Sequence, residues 1–221
     1  MKRILFLGLL FMILVPIGYY FLSGADRQET LPVINPIDVQ EEMVDPEMLR
    51  IGRGHRIGTF RFQNQDGVYI TEAAMKGKVT VVEYFFTTCK SICPIMNSQM
   101  QRVQRKFAKN KNVGIFSFTV DPQTDTVAQM KRYAEAHHAK SGQWHFLTGE
   151  KTDLYALARK SFFVLKPAEA QNLGDAGSDF IHTNNFVLVD PQLRIRGYYD
   201  GTNAKEVSDL LRDIDLLLQE R

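Results

Sequence analysis

The sequence predicts an α/β domain, on three observations. Apolar strands and amphipathic helices alternate regularly from Ile57 onward, two hairpin signals bracket that alternation, and a charge-free N-terminal run stands apart from it. With 221 residues, 44% of them hydrophobic and 24% charged, the chain can bury the core of one ordinary domain beside a short appendage. A formal net charge of +2 is too small to argue for a nucleic-acid partner. No internal repeat or low-complexity tract interrupts the pattern.

In chain order, Phe60-Arg61-Phe62 and Val68-Tyr69-Ile70 flank a polar turn ending in Asp66-Gly67, a β-hairpin signal. Lys78 to Phe86 is almost continuously apolar and β-branched or aromatic, as in a strand buried on both faces. Pro94 to Ala108 has helical spacing that lets Ile95, Met96, Met100, Val103 and Phe107 share a side. Pro94 is tolerated only in a first turn, so it marks that helix's start. Val113 to Val120 reads as a second buried strand, Thr126 to His138 as a helix, Trp144 to Leu147 as a short strand and Thr152 to Lys160 as a helix. A second hairpin follows, Phe186 to Val189 and Leu193 to Tyr199 around Asp190-Pro191-Gln192. The last helix runs from Ala204 to about Leu218, with Asn203 and Glu206 offered as a capping box. Strand, helix, strand, helix, then hairpin and helix is the thioredoxin-like order, with the first hairpin as an N-terminal addition.

The appendage is the most apolar part of the chain. Met1-Lys2-Arg3 precedes Ile4 to Leu22, nineteen residues without a charge. As a helix this run is about 28 Å long, close to the hydrocarbon thickness of a bilayer. Lys2 and Arg3 place its start on the cytoplasmic side and the rest of the chain on the extracytoplasmic, periplasmic side. Ser23-Gly24-Ala25 resembles a signal-peptidase site, so a cleaved signal peptide competes with a transmembrane anchor, which the length of the run favours. The expected organisation is therefore a membrane anchor at 1–24, a proline-containing, aperiodic tether at 25–56 and the domain at 57–221.

The only two cysteines, Cys89 and Cys93, lie between a buried strand and a helix start. Unpaired N–H groups and the positive end of the dipole there favour thiolate, the form needed for metal binding and for thiol exchange. Four positions equal about one helical turn, so both sulfurs can point the same way. A structural disulfide closing so short a loop would gain little chain entropy. Two thiolates make a soft pair suited to Cu(I) or Zn(II). Structural zinc needs four protein ligands and no further cysteine exists, whereas copper accepts fewer, and one imidazole would complete it.

Composition does not choose the imidazole. His55 is at the tether's edge, His137 and His138 end a helix, and His145 alternates with Trp144 and Phe146 as an exposed strand residue would. His182 lies in the loop Asp179-Phe180-Ile181-His182-Thr183 before a strand. Met96 and Met100 could be soft ligands, but their spacing fits the apolar side of a helix. Asp121 and Asp125 read as turn and capping residues. Arg102, Arg105, Lys106 and Lys109 read as a solvated basic face.

Three motifs in order carry a resemblance: Tyr84-Phe85-Phe86-Thr87-Thr88-Cys89 to Cys93-Pro94-Ile95-Met96, then Thr119-Val120-Asp121-Pro122 with Asp125-Thr126, then Phe180-Ile181-His182 ahead of Phe186 to Asp190. Together they resemble the Sco/SenC family over roughly residues 57 to 218. The resemblance implies a thioredoxin fold on a membrane anchor that binds copper through two cysteines and a histidine. It also implies a part in assembling the dinuclear copper centre of cytochrome oxidase. Carried over, Cys89, Cys93 and His182 would be the metal ligands. Lys90 departs from the pattern, where relatives often have proline, which touches the local turn and not the ligand set.

The function so implied is a copper chaperone rather than an enzyme, with a copper-receiving cytochrome oxidase subunit as partner. The alternative is a thiol-disulfide reductase that uses Cys89 and Cys93 as a redox pair on a metal acceptor's cysteines, with a thiol reductant as a further partner. A peroxidase reading on the same fold is opposed by the second cysteine so close by.

Overall fold

The computed structural model describes residues 30–164 and 184–220. Seven strands, β1 (Arg61–Asn64), β2 (Tyr69–Thr71), β3 (Val79–Phe85), β4 (Val113–Thr119), β5 (Trp144–Thr148), β6 (Asn185–Val189) and β7 (Ile195–Asp200), form one sheet in the order β2-β1-β5-β4-β3-β6-β7. The four long helices are α1 (Cys93–Lys106), α2 (Val127–Ala136), α3 (Lys151–Lys160) and α4 (Ala204–Gln219). Strands β3, β4 and β5 are parallel, β6 runs antiparallel to β3, and β7 antiparallel to β6. The unit β3-α1-β4 followed by β6-β7-α4 is the thioredoxin-like core. The first hairpin extends it by pairing β1 antiparallel to β5.

The central strands read as unbroken apolar runs because both their faces are covered. Val79, Val81 and Phe85 of β3 point to a cluster with α1, α2 and α4. Val82 and Tyr84 point to the opposite cluster with α3 and the first hairpin. The hairpin turn needs glycine at Gly67, whose φ is +73°. Beside it the Asn64 side chain accepts from the N–H groups of Asp66 and Val68.

Several expectations are corrected. Helix α1 buries Cys93, Met96, Asn97, Met100, Val103 and Gln104, so Ile95 falls outside that stripe and is 47% exposed. His145 is buried against Phe116, with ring centroids 5.2 Å apart, and burial lowers its pKa to about 4. His137 caps α2, yet burial lowers its pKa too, which opposes the protonated form a helix end would favour. Asn203 caps α4 by accepting from Lys205 N–H, but Glu206 takes the Asp200 N–H, so the reciprocal box does not form. The basic face of α1 is partly a helix seam: Arg102 donates to Ala204 O and Ser208 Oγ of α4, and Lys106 pairs with Asp215.

The stretch expected as a tether belongs, from Leu31 on, to the same compact unit as the sheet. Ile34 N–H bonds Ile195 O at 2.9 Å, Val44 is buried, and His55 sits 2.8 Å from Ser161 O. Arg196, itself buried, donates to Leu31 O and Pro32 O and pairs with Asp190 and Glu220. These contacts go to backbone carbonyls and single side chains, which leave no period in the sequence. Among the described residues no helix is long and apolar enough to cross a membrane; the expected anchor, 1–24, lies outside them.

Candidate metal and thiol centre

Strand β3 ends at Phe85, and the loop Phe86 to Ile92 carries the chain into α1, whose first residue is Cys93. Asp125 fixes this loop. Its buried carboxylate accepts from Thr87 N–H at 3.2 Å and from the hydroxyls of Thr87 and Thr119. Gln129 of α2 adds a bond to Thr87 Oγ1 at 3.1 Å, and Cys89 N–H bonds Phe86 O at 3.3 Å. Asp125 thus ties the ends of β3 and β4 together; the cap of α2 is Thr126, which accepts from Gln129 N–H. Sequence reasoning took Asp125 for a turn or capping residue, because its partner Thr87 lies 38 positions away.

The two thiols are unbridged, Cys89 half-buried and Cys93 buried. Partial burial pushes the Cys89 thiol up, but the Cys93 thiol and N–H and the Ser91 hydroxyl and N–H donate to its sulfur and bring it down to about 7. Cys93 moves the other way. Burial, donation of its proton to Cys89 and the nearby charges of Cys89 and Glu83 push it well above the usual thiol range, against a bond from Phe86 N–H. The pair is therefore asymmetric, with a reactive outer sulfur and an inner sulfur that holds a proton.

Glu83 is the residue sequence reasoning missed. It faces the same side of β3 as Phe85 and is 1% exposed, and Ser117 Oγ donates to its Oε1 at 2.6 Å. Trp144 Nε1 in turn donates to Ser117 Oγ at 2.8 Å. Burial, against that one hydrogen bond, raises the Glu83 carboxyl to about 7. A lone acid inside the apolar run from Lys78 to Phe86 was the signal that could have found it. On α1, one turn beyond Cys93, Asn97 bonds Tyr133 Oη through its amide nitrogen. Its buried Oδ1 has no hydrogen-bond partner among the described residues.

The structure brings Cys89 and Cys93 together. His182 lies outside the described residues. Among the described residues no three His, Cys, Asp or Glu side chains gather as a metal site, so none of His55, His137, His138 and His145 joins the cysteines. The carbonyls of His137 and His138 are held by Gln101 and Gln104 of α1, about 12 Å or more along the helix from Cys93. Met96 and Met100 are core residues.

The SCO1/SenC family model matches residues 50–219. The chain belongs to the SCO1/SenC family. A relative within reach is the SCO1 protein homolog of Bacillus subtilis, 33% identical over 163 residues, covering 72% of this chain and 81% of the relative. Among solved structures, BsSco, described as a member of the Sco family of cytochrome c oxidase assembly proteins with a disulfide switch, superposes with a TM-score of 0.64 at 30% identity. That match covers 76% of this chain and 96% of BsSco. Arabidopsis thaliana ScoI, solved with copper bound, superposes with a TM-score of 0.56 at 23% identity over 72% of this chain and 97% of its own. At that identity the likeness is one of fold.

Proposed function

We propose that this SCO1/SenC protein is a membrane-anchored copper chaperone of cytochrome oxidase assembly. It takes copper on Cys89, Cys93 and His182 and passes it to an oxidase subunit. The observation that carries this reading is the cysteine pair itself, two unbridged sulfurs, one partly exposed in the loop before α1 and one buried at the first residue of that helix. Two soft donors on one side suit Cu(I), and a low-coordinate ion needs only one more ligand. The SCO1/SenC resemblance supplies His182 for that place, and none of the other four histidines gathers with the cysteines as a metal site among the described residues. The copper-bound ScoI of Arabidopsis is consistent with the cargo. In the same reading residues 1–24 anchor the chain and the domain works on the periplasmic side.

The test is copper titration of the reduced protein beside its His182→Ala variant. One tight equivalent that weakens about tenfold or more in the variant supports a two-thiolate, one-imidazole site. Wild-type affinity in the variant removes His182 from it. A second reading, thiol-disulfide reductase, is favoured by the split between the Cys89 and Cys93 thiols, which gives one nucleophile and one proton-bearing partner. Absence of stoichiometric copper with ready disulfide cycling would select it.

A further inference from the structure

The parallel strands β3, β4 and β5 all begin at the end of the sheet away from the cysteines, and there the structure opens a cleft of about 700 Å³. Its walls come from three separate segments. Lys78 precedes β3, Lys109, Asn110 and Lys111 connect α1 to β4, and Lys140 and Gln143 lie between α2 and β5. The seven residues of β3 separate it from the thiol loop by about 20 Å.

Charge marks the cleft: four lysines line it and no carboxylate does. None of the four makes an ion pair with a described residue, although their neighbours Lys106 and Lys131 are paired with Asp215 and Asp66. Lys140 Nζ is instead held at 2.6 Å from Ala108 O, which fixes one ammonium at the wall. Asp66, near the rim through its bond to Ser141, is already engaged by Lys131. Gln143 closes the wall behind the lysines, 7% exposed, with its amide nitrogen donating to Phe107 O at 2.9 Å.

We propose that this cleft is a binding site for a phosphate-bearing anion, with Lys78, Lys109, Lys111 and Lys140 as the counter-charges. A phosphate answers the lysines through charge-assisted hydrogen bonds. The phosphate can be free or the headgroup of an anionic lipid. The site is independent of the cysteines and of the copper reading.

The test uses the full chain in an uncharged detergent. Inorganic phosphate, a short-chain phosphatidylglycerol and a short-chain phosphatidylcholine are each titrated by calorimetry against wild type and Lys109→Glu/Lys111→Glu. Both substitutions lie on an exposed loop, and an unchanged alkylation rate at Cys89 verifies the variant's fold. We expect saturable one-to-one binding of phosphate or phosphatidylglycerol that falls about tenfold or more in the variant and weakens with salt. Preference for phosphatidylglycerol over inorganic phosphate identifies a lipid headgroup, and equal or tighter binding of inorganic phosphate identifies the free anion. No saturable binding of either up to about 10 mM, or equal binding by the variant, overturns the proposal.

Discussion

Two buried carboxyls lie within reach of the thiol loop, and their surroundings differ. Asp125, at the strand ends, accepts from three donors: the Thr87 N–H and the Thr87 and Thr119 hydroxyls. Glu83, further down β3, has the Ser117 hydroxyl. Burial pushes both up, but at Asp125 the donors hold the rise in check, whereas Glu83 reaches about 7. The number of donors decides what each group does. Asp125 is a fixed anchor that shapes the loop carrying Cys89. Glu83 is an acid poised near neutrality in the apolar cluster that contains Cys93, and its charge adds to the forces raising that thiol.

The largest effect is expected at the anchor. Asp125→Ala strands the Thr87 N–H and two hydroxyls in a buried setting, and should lower stability by about 3–5 kcal/mol in urea unfolding. It should also loosen the thiol loop, seen as faster hydrogen exchange at the Thr87 and Cys89 amides. A loss under about 1 kcal/mol would mean that Asp125 does not hold the loop.

The next effect depends on pH. Glu83 has a folded pKa above its ordinary value, so the native state binds more protons than the unfolded chain between about 4.5 and 7. Its contribution is favourable at low pH and is lost as pH rises through that window, by roughly 3 kcal/mol in all. Glu83→Gln keeps the acceptor for Ser117 and cannot ionise. Relative to wild type it should gain most of that amount at pH 8 and little at pH 5. Equal gains at both pH values would show that Glu83 is not the titrating group.

The smallest effect separates the two sulfurs. Cys93→Ala removes the thiol donor to Cys89, so the pH midpoint for alkylation of Cys89 should rise from about 7 by about one unit. An unmoved midpoint would assign the lowered value to Ser91 and the backbone alone.

Most of the fold was legible because covered strands and amphipathic helices write their periods into the chain. The stretch from Val79 to Phe85, the α1 stripe and the β6-β7 hairpin lie within a residue or two of the boundaries that pattern gives. The cysteine pair was legible because two thiols at a strand-to-helix junction are chemically conspicuous. What stayed hidden depends on partners far along the chain. Glu83 is explained by Ser117, Asp125 by Thr87, and His55 by a carbonyl at Ser161, and no local period marks such pairs. His145 misled because alternation fixes a strand's two faces without saying that both are covered.

The Arg196 clamp has a mechanical consequence. Arg196 grips the carbonyls of Leu31 and Pro32 and the carboxylate of Glu220, and Ile34 bonds to β7 beside it. Strand β7 is the edge of the sheet, with β6 between it and β3. A pull on the chain ahead of Leu31 is therefore borne first by a guanidinium and an edge strand. The load is spent at the margin, and the strand that aims the two sulfurs stays still.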